Sequence, residues 1–266
     1  MIPGLPRHPF PTRGSFGPLI CSAVLLVAHA GCSRSSTQGT TPSPAPTPTT
    51  ATPQVKTYTT NFPQKEDPIS EGGRWAGGKT VGVDWGNVST TPGYAIGTAG
   101  PKRYADSVAL LTGSWGPDQT AEAVVKKMSV HGWPEVSLRL RSSLYFHDCS
   151  GYEISNSLRS DDSAYLIIVR WNGTLADFTY LVQAKGKQYG VTTGDVVKAT
   201  IVGNVITAYK NGAQLAQVKD NTYLNGQPGF GFNEGRNGDY GITRITITAA
   251  DAPANGAAAS TPAAGQ

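Results

Sequence analysis

Three dipeptides constrain this chain more than any other feature: Asn172-Gly173, Gly203-Asn204 and Asn211-Gly212, each set between two β-type runs. Asn-Gly supplies the consecutive positive φ angles of a tight type I′ hairpin. Gly203-Asn204 divides Val197-Lys-Ala-Thr-Ile-Val202 from Val205-Ile-Thr-Ala-Tyr209 in the same way. Hairpins this close together join antiparallel neighbours and argue against βαβ units. Strands are expected at 107–111, 135–141, 163–171, 177–184, 195–202, 205–210, 214–218 and 240–248. The turn spacing is that of an all-β antiparallel sandwich. The segment 118–128 reads equally as helix or strand, since its propensities allow one and its Gly-Pro and His-Gly flanks the other.

Within these runs the faces can be assigned. In Val136-Ser-Leu-Arg-Leu-Arg141 the aliphatic residues share one face, while Ser137, Arg139 and Arg141 share the other. Glu153 lies opposite in parity to Tyr152 and Ile154. Tyr165-Leu-Ile-Ile-Val169 is apolar on both faces, as in a strand covered on both sides or one whose second face lines a groove. Arg170 ends that strand, where a charge requires a partner or a groove.

Outside the β-rich region the composition changes. Arg7 and Arg13 precede an apolar run over 18–28 that is too short to span a bilayer, so residues 1–31 read as an export signal. Ala30-Gly31-Cys32 resembles the end of a lipobox, although His29 stands where an apolar residue is usual. Ala28-His29-Ala30 also fits ordinary signal peptidase. We expect Cys32 to be lipidated, because residues 32–54 form a Ser/Thr/Pro-rich tether suited to spacing a domain from a membrane. Residues 251–266 read as a disordered tail, which leaves 55–250 as the folded domain. The expected location is extracytoplasmic and membrane-anchored, with secretion as the alternative.

Charge and motifs exclude several classes. Residues 55–250 hold 19 Lys and Arg against 17 Asp and Glu, a balance of +2 that predicts no nucleic-acid partner and no membrane contact beyond the lipid. Cys149 is the one cysteine of the folded region, so no disulfide forms there, and it reads as a small hydrophobe. There is no zinc spacing, nucleophile elbow or phosphate loop.

The ordered set Tyr104-Ala-Asp-Ser107, Gly116-Pro-Asp-Gln-Thr-Ala-Glu122, Leu138-Arg-Leu-Arg141, Gly151-Tyr-Glu153, Val169-Arg-Trp-Asn-Gly173, Gly194-Asp-Val-Val197, 203–212 and Gly226-Gln-Pro-Gly-Phe-Gly231 resembles the concanavalin A-like lectin/glucanase superfamily. The likeness is greatest to its laminin-G-like and keto-disaccharide-hydrolase-like bacterial domains. It implies a jelly-roll whose concave sheet commonly carries carbohydrate-binding or glycan-cleaving groups. It also implies that a structural calcium is possible, with Asp239 as a candidate ligand. The superfamily's glucanases carry Glu-x-Asp-x-Glu on one strand, and this chain has no such triplet. The lyase motifs are matched only in part by Ser137-Leu-Arg-Leu-Arg141. No catalytic residue is therefore assigned.

Planar polar groups with nearby rings suit saccharides. The candidate ligand-binding set is Glu122, Arg139, Arg141, Glu153, Tyr165, Arg170 and Trp171, with Arg139, Glu153 and Arg170 as the groove floor. The same charges could instead form a salt-bridge ladder. The expected function is binding of a glycan or envelope polysaccharide without catalysis. The alternative is an atypical glycoside hydrolase or polysaccharide lyase of the jelly-roll type.

Overall fold

A computed structural model describes residues 55–100, 106–129, 131–233 and 239–250. The expected signal peptide, Cys32, the tether and the C-terminal tail lie outside the described residues.

In chain order the strands are β1 (Val55–Thr60), β2 (Trp75–Gly77), β3 (Val88–Thr91), β4 (Tyr94–Gly97), β5 (Asp106–Leu111), β6 (Gln119–Lys127), β7 (Glu135–Tyr145) and β8 (Asp148–Ser157). They continue as β9 (Tyr165–Thr174), β10 (Phe178–Lys185), β11 (Val196–Val202), β12 (Val205–Lys210), β13 (Ala213–Lys219), β14 (Gln227–Asn233) and β15 (Tyr240–Ala250). A single helical turn, α1 (Gly78–Val81), follows β2. The segment left open between helix and strand is β6. Its alternate residues Ala121, Ala123 and Val125 are buried, a period of two that only a strand can supply.

Two antiparallel sheets form. One has the order β13-β12-β11-β6-β15-β4-β3, with β1 added along the C-terminal half of β15. The other has the order β10-β9-β8-β7-β14-β5-β2. The expected hairpins are present at Gly203-Asn204, between β11 and β12, and at Asn211-Gly212, between β12 and β13. Asn172-Gly173, by contrast, lies within β9, paired with Ser150 and Cys149 of β8. The turn into β10 comes at residues 175–177, where Ala176 takes a positive φ of 69°.

The core lies between the sheets. The second sheet contributes Leu138 and Leu140, Tyr152 and Ile154, Leu166 and Ile168, and Phe230; the first contributes Ala199, Ile201, Ile245 and Ile247. Each is buried because alternation points it inward. A second apolar cluster lies on the other face of the second sheet, where Val108, Leu110, Cys149, Val169 and Trp171 meet Val83 and Trp85. The two-sided apolar pattern of β9 therefore has both of its expected causes. Leu166 and Ile168 enter the core, Val169 joins the outer cluster and Ile167 lines a pocket.

Candidate functional site

Strand β7 turns Glu135, Ser137 and Arg139 away from the core, and all three are nonetheless buried. On β8, Glu153 stands opposite Arg139 and Ser155 opposite Ser137. On the other side of β7 lies β14, whose outward positions include Gly229 and Gly231. A Cβ at Gly231 would stand 3.0 Å from Ser137 Oγ and 3.7 Å from Arg139 Nε. Its absence clears a path over β14 for the Arg139 side chain to reach Asp106 on β5.

The Arg139 guanidinium is the centre of the cluster and is 1% exposed. Its Nη2 donates to Asp106 Oδ2 at 2.8 Å. Its Nη1 lies 2.9 Å from Glu153 Oε2, an ion-pair contact whose N–H bonds are not directed at the oxygen. The rings of Trp85 and Trp171 flank it at 5.0 and 5.9 Å. Glu153 also accepts from Ser155 Oγ at 2.7 Å and from the Trp171 indole at 2.5 Å. Glu135 is paired elsewhere, accepting from the Tyr165 hydroxyl and from Asn233 Nδ2.

Two buried carboxylates thus share one guanidinium and a third, Glu135, lies close by without it, and the proton affinities reflect it. Burial, reinforced by Glu153, pushes Glu135 up to about 7 against the opposing hydrogen bonds of Tyr165, Asn233 and Ser155. Burial also raises Asp106 well above the usual carboxylate range; Glu153 adds to this and Arg139 opposes it. For Arg139, burial disfavours the charge, but Glu153 and Asp106 outweigh it and hold the guanidinium protonated. Burial pushes the Cys149 thiol up to about 12, too high for a thiolate nucleophile.

Part of this face is covered by the strap that follows β2. It runs through α1 to Val83 and Trp85 and is tied to β5 by backbone bonds from Gly86 N to Asp106 O and from Val108 N to Gly86 O. Beside it a pocket of about 70 Å³ remains open, walled by Asp106, Glu135, Glu153 and Asn233 and by the rings of Trp171, Phe178 and Tyr180. Phe178 packs between the other two rings, with centroids 5.0 Å from Trp171 and 5.1 Å from Tyr180.

Four of the residues expected to bind ligand come together here: Arg139, Glu153, Tyr165 and Trp171. Three do not. Glu122 is on β6 in the other sheet, facing away from the core beside Lys198 and Thr246. Arg141 leaves the outer face because the ladder shifts between Leu140 and Ser143, and Arg141 itself takes a φ of +46°. Its guanidinium instead caps the carbonyls of Pro117, Tyr223 and Gly203. Opposite this bulge a Cβ at Gly151 would lie 2.4 Å from Ser142 Cα, so only glycine fits. Arg170 shares the parity of Ile168 rather than that of Val169. It is held by Asp220 at 2.6 Å and Thr222 at 2.8 Å. The pocket is therefore walled by Glu153, Asp106 and Glu135, with Arg139 behind them, and Arg170 is not part of it. Asp239, the candidate calcium ligand, is engaged within the protein. Its carboxylate lies 2.6 Å from His131 Nδ1, and its carbonyl accepts from the Met128 and Ser129 amides. Among the described residues no three acidic, histidine or cysteine side chains gather as metal ligands.

No family model and no curated protein matches the chain. Among solved structures, the CBM2 module of the evolved Dit of Lactobacillus casei BL23 phage J-1 aligns with a TM-score of 0.50 at 9% identity, over 76% of this chain and 99% of that one. The two share a fold. The Emp46p carbohydrate recognition domain in its potassium-bound form gives a TM-score of 0.49 at 12% identity, over 71% of this chain and 94% of that chain. Carbohydrate binding module CBM66 from Bacillus subtilis gives 0.46 at 16%, over 69% and 96%. At these identities the likeness concerns architecture alone.

Proposed function

We propose that the chain is an extracytoplasmic glycan-binding module of the concanavalin A-like kind, anchored through a lipidated Cys32, which holds a saccharide at the pocket beside Glu135 without cleaving it. The observation that carries this reading is the pairing of an aromatic rim with a floor of buried hydrogen-bond acceptors. Sugar rings present an apolar face to aromatic side chains and a polar edge to carboxylates and amides. Tyr180, 40% exposed at the mouth, supplies the first, and Asp106, Glu135, Glu153 and Asn233 supply the second. The apolar run before Cys32 and the Thr/Pro tether after it support the anchored, extracytoplasmic part.

The test is a glycan array probed with the chain, followed by calorimetry on Tyr180→Ala. Loss of this rim ring should weaken binding about tenfold, roughly 1.4 kcal/mol, with little change in Tm. An array without hits, or wild-type affinity in the variant, removes the pocket from consideration. For the anchor, Cys32→Ala should release the protein from the membrane fraction. A wild-type mass showing an unmodified residue 32 would refute lipidation.

A second reading is favoured by one observation. Glu135, held near 7, neighbours a carboxylate that is bound by Arg139, and such a pair could protonate and attack a glycosidic bond. Binding and hydrolysis separate on one measurement, the appearance of shorter products from an oligosaccharide that the array identifies.

A further inference from the structure

The polar atoms of the site are unequally satisfied. Ser137 is fully buried between Glu135 and Arg139 on the outward face of β7, and its Oγ has no hydrogen-bond partner. Arg139 Nε is likewise unpaired, as is Asn233 Oδ1 on the pocket wall, whose Nδ2 is committed to Glu135. Of these atoms only Asn233 Oδ1 belongs to a residue that lines the pocket; Ser137 and Arg139 lie behind its wall. Buried groups of this kind cost free energy unless a partner arrives. Among the described residues the charge is one-sided as well. The polar walls of the pocket are three carboxylates and an amide. Arg139, the cation behind them, is engaged with Asp106 and Glu153 and almost wholly covered.

Resting on the glycan-binding reading, we infer that the pocket admits the hydroxyl edge of an uncharged sugar residue and rejects sugars bearing carboxylate, sulfate or phosphate. Sugar hydroxyls can donate to the carboxylate oxygens of the wall and to Asn233 Oδ1 without bringing a charge into the pocket. An anion would meet carboxylates in a poorly solvated site, where repulsion is weakly screened. The volume of about 70 Å³ suits one edge of a ring rather than a whole residue.

The probes are tetrasaccharides of glucose, mannose and galactose, each compared with its C6-oxidised uronate counterpart, by calorimetry at pH 8, where Glu135 is ionised. At least one neutral tetramer should bind, and its uronate partner at least tenfold more weakly. Added salt should narrow that gap by screening the repulsion. Glu135→Gln and Asp106→Asn should narrow it too, in samples that retain the wild-type circular dichroism spectrum. A uronate that binds as well as its neutral partner overturns the inference while leaving glycan binding intact. A gap unchanged by salt and by both substitutions places the discrimination elsewhere and also overturns it. If no member of either series binds, the glycan reading fails and the inference with it.

Discussion

Glu135 is held where two demands conflict. As a strand residue its backbone belongs in the sheet, and that position buries its carboxyl beside Asp106 and Glu153, with Arg139 and Tyr165 the other titratable groups around it. The result is a proton retained to about 7, against 4.5 for an ordinary glutamate. Between those values the folded chain holds a proton that the unfolded chain has released. Stability therefore falls as pH rises through that window, then levels off above it. This group contributes a loss of about 3 kcal/mol, and the raised Asp106 acts in the same direction. Tm should accordingly drop between pH 5 and pH 8, and Glu135→Gln should remove much of the slope. A wild-type Tm that holds constant or climbs over that range would show that the carboxyl is not buried as described. Arg139 matters for the opposite reason. It is the charge that makes two neighbouring carboxylates tolerable, and its loss leaves them without a counter-ion.

At the scale of strands, the sequence is legible where alternation is unbroken. It carries Arg139 and Glu153 to one face and Leu138, Tyr152 and Ile154 to the other, as expected. The same alternation reaches back to Glu135, four residues before Arg139, and places it on the outward face. Asp106 is not legible in this way. Every position of β5 is buried, so no polar and apolar faces separate in its sequence. Trp85 belongs to no strand and reaches the site only because the strap folds over β5. Alternation misleads at irregularities. The shift after Leu140 withdraws Arg141 from the face its parity predicts, and nothing in Leu-Arg-Leu-Arg announces it; the steric demand is met by two distant glycines, Gly151 and Gly226. Asn172-Gly173 misleads in a related way, since Gly173 adopts a φ of 152° inside β9 and the chain turns a few residues later. Arg170 is decided by Asp220, fifty residues further along the chain, a contact that sequence periodicity does not register.

At the scale of the molecule, the hairpin signals and β-rich runs led to an antiparallel sandwich, and that is the architecture found. What they left out is that the second sheet is covered on both sides, by the core beneath and by the strap above, so that its outward face is exposed only in part. A buried charge cluster and a wet pocket can then sit on one surface, the strap excluding water from Arg139 while Tyr180 remains in contact with it. The register of β1 against β15 has a separate consequence. Val55 and Ala250 are direct partners at the end of that ladder, so the first and last strands of the sandwich finish side by side. Topologically the domain is a ring with a single cut, and the position of the cut is a matter of gene order rather than of packing. Joining Ala250 to Val55 through a short glycine linker and reopening the ring at the exposed Asn211-Gly212 turn should give a circular permutant with the same sheets. Its Tm should fall within about 5 °C of the parent, and a permutant that fails to fold would mean that β12 and β13 must be made as one uninterrupted hairpin.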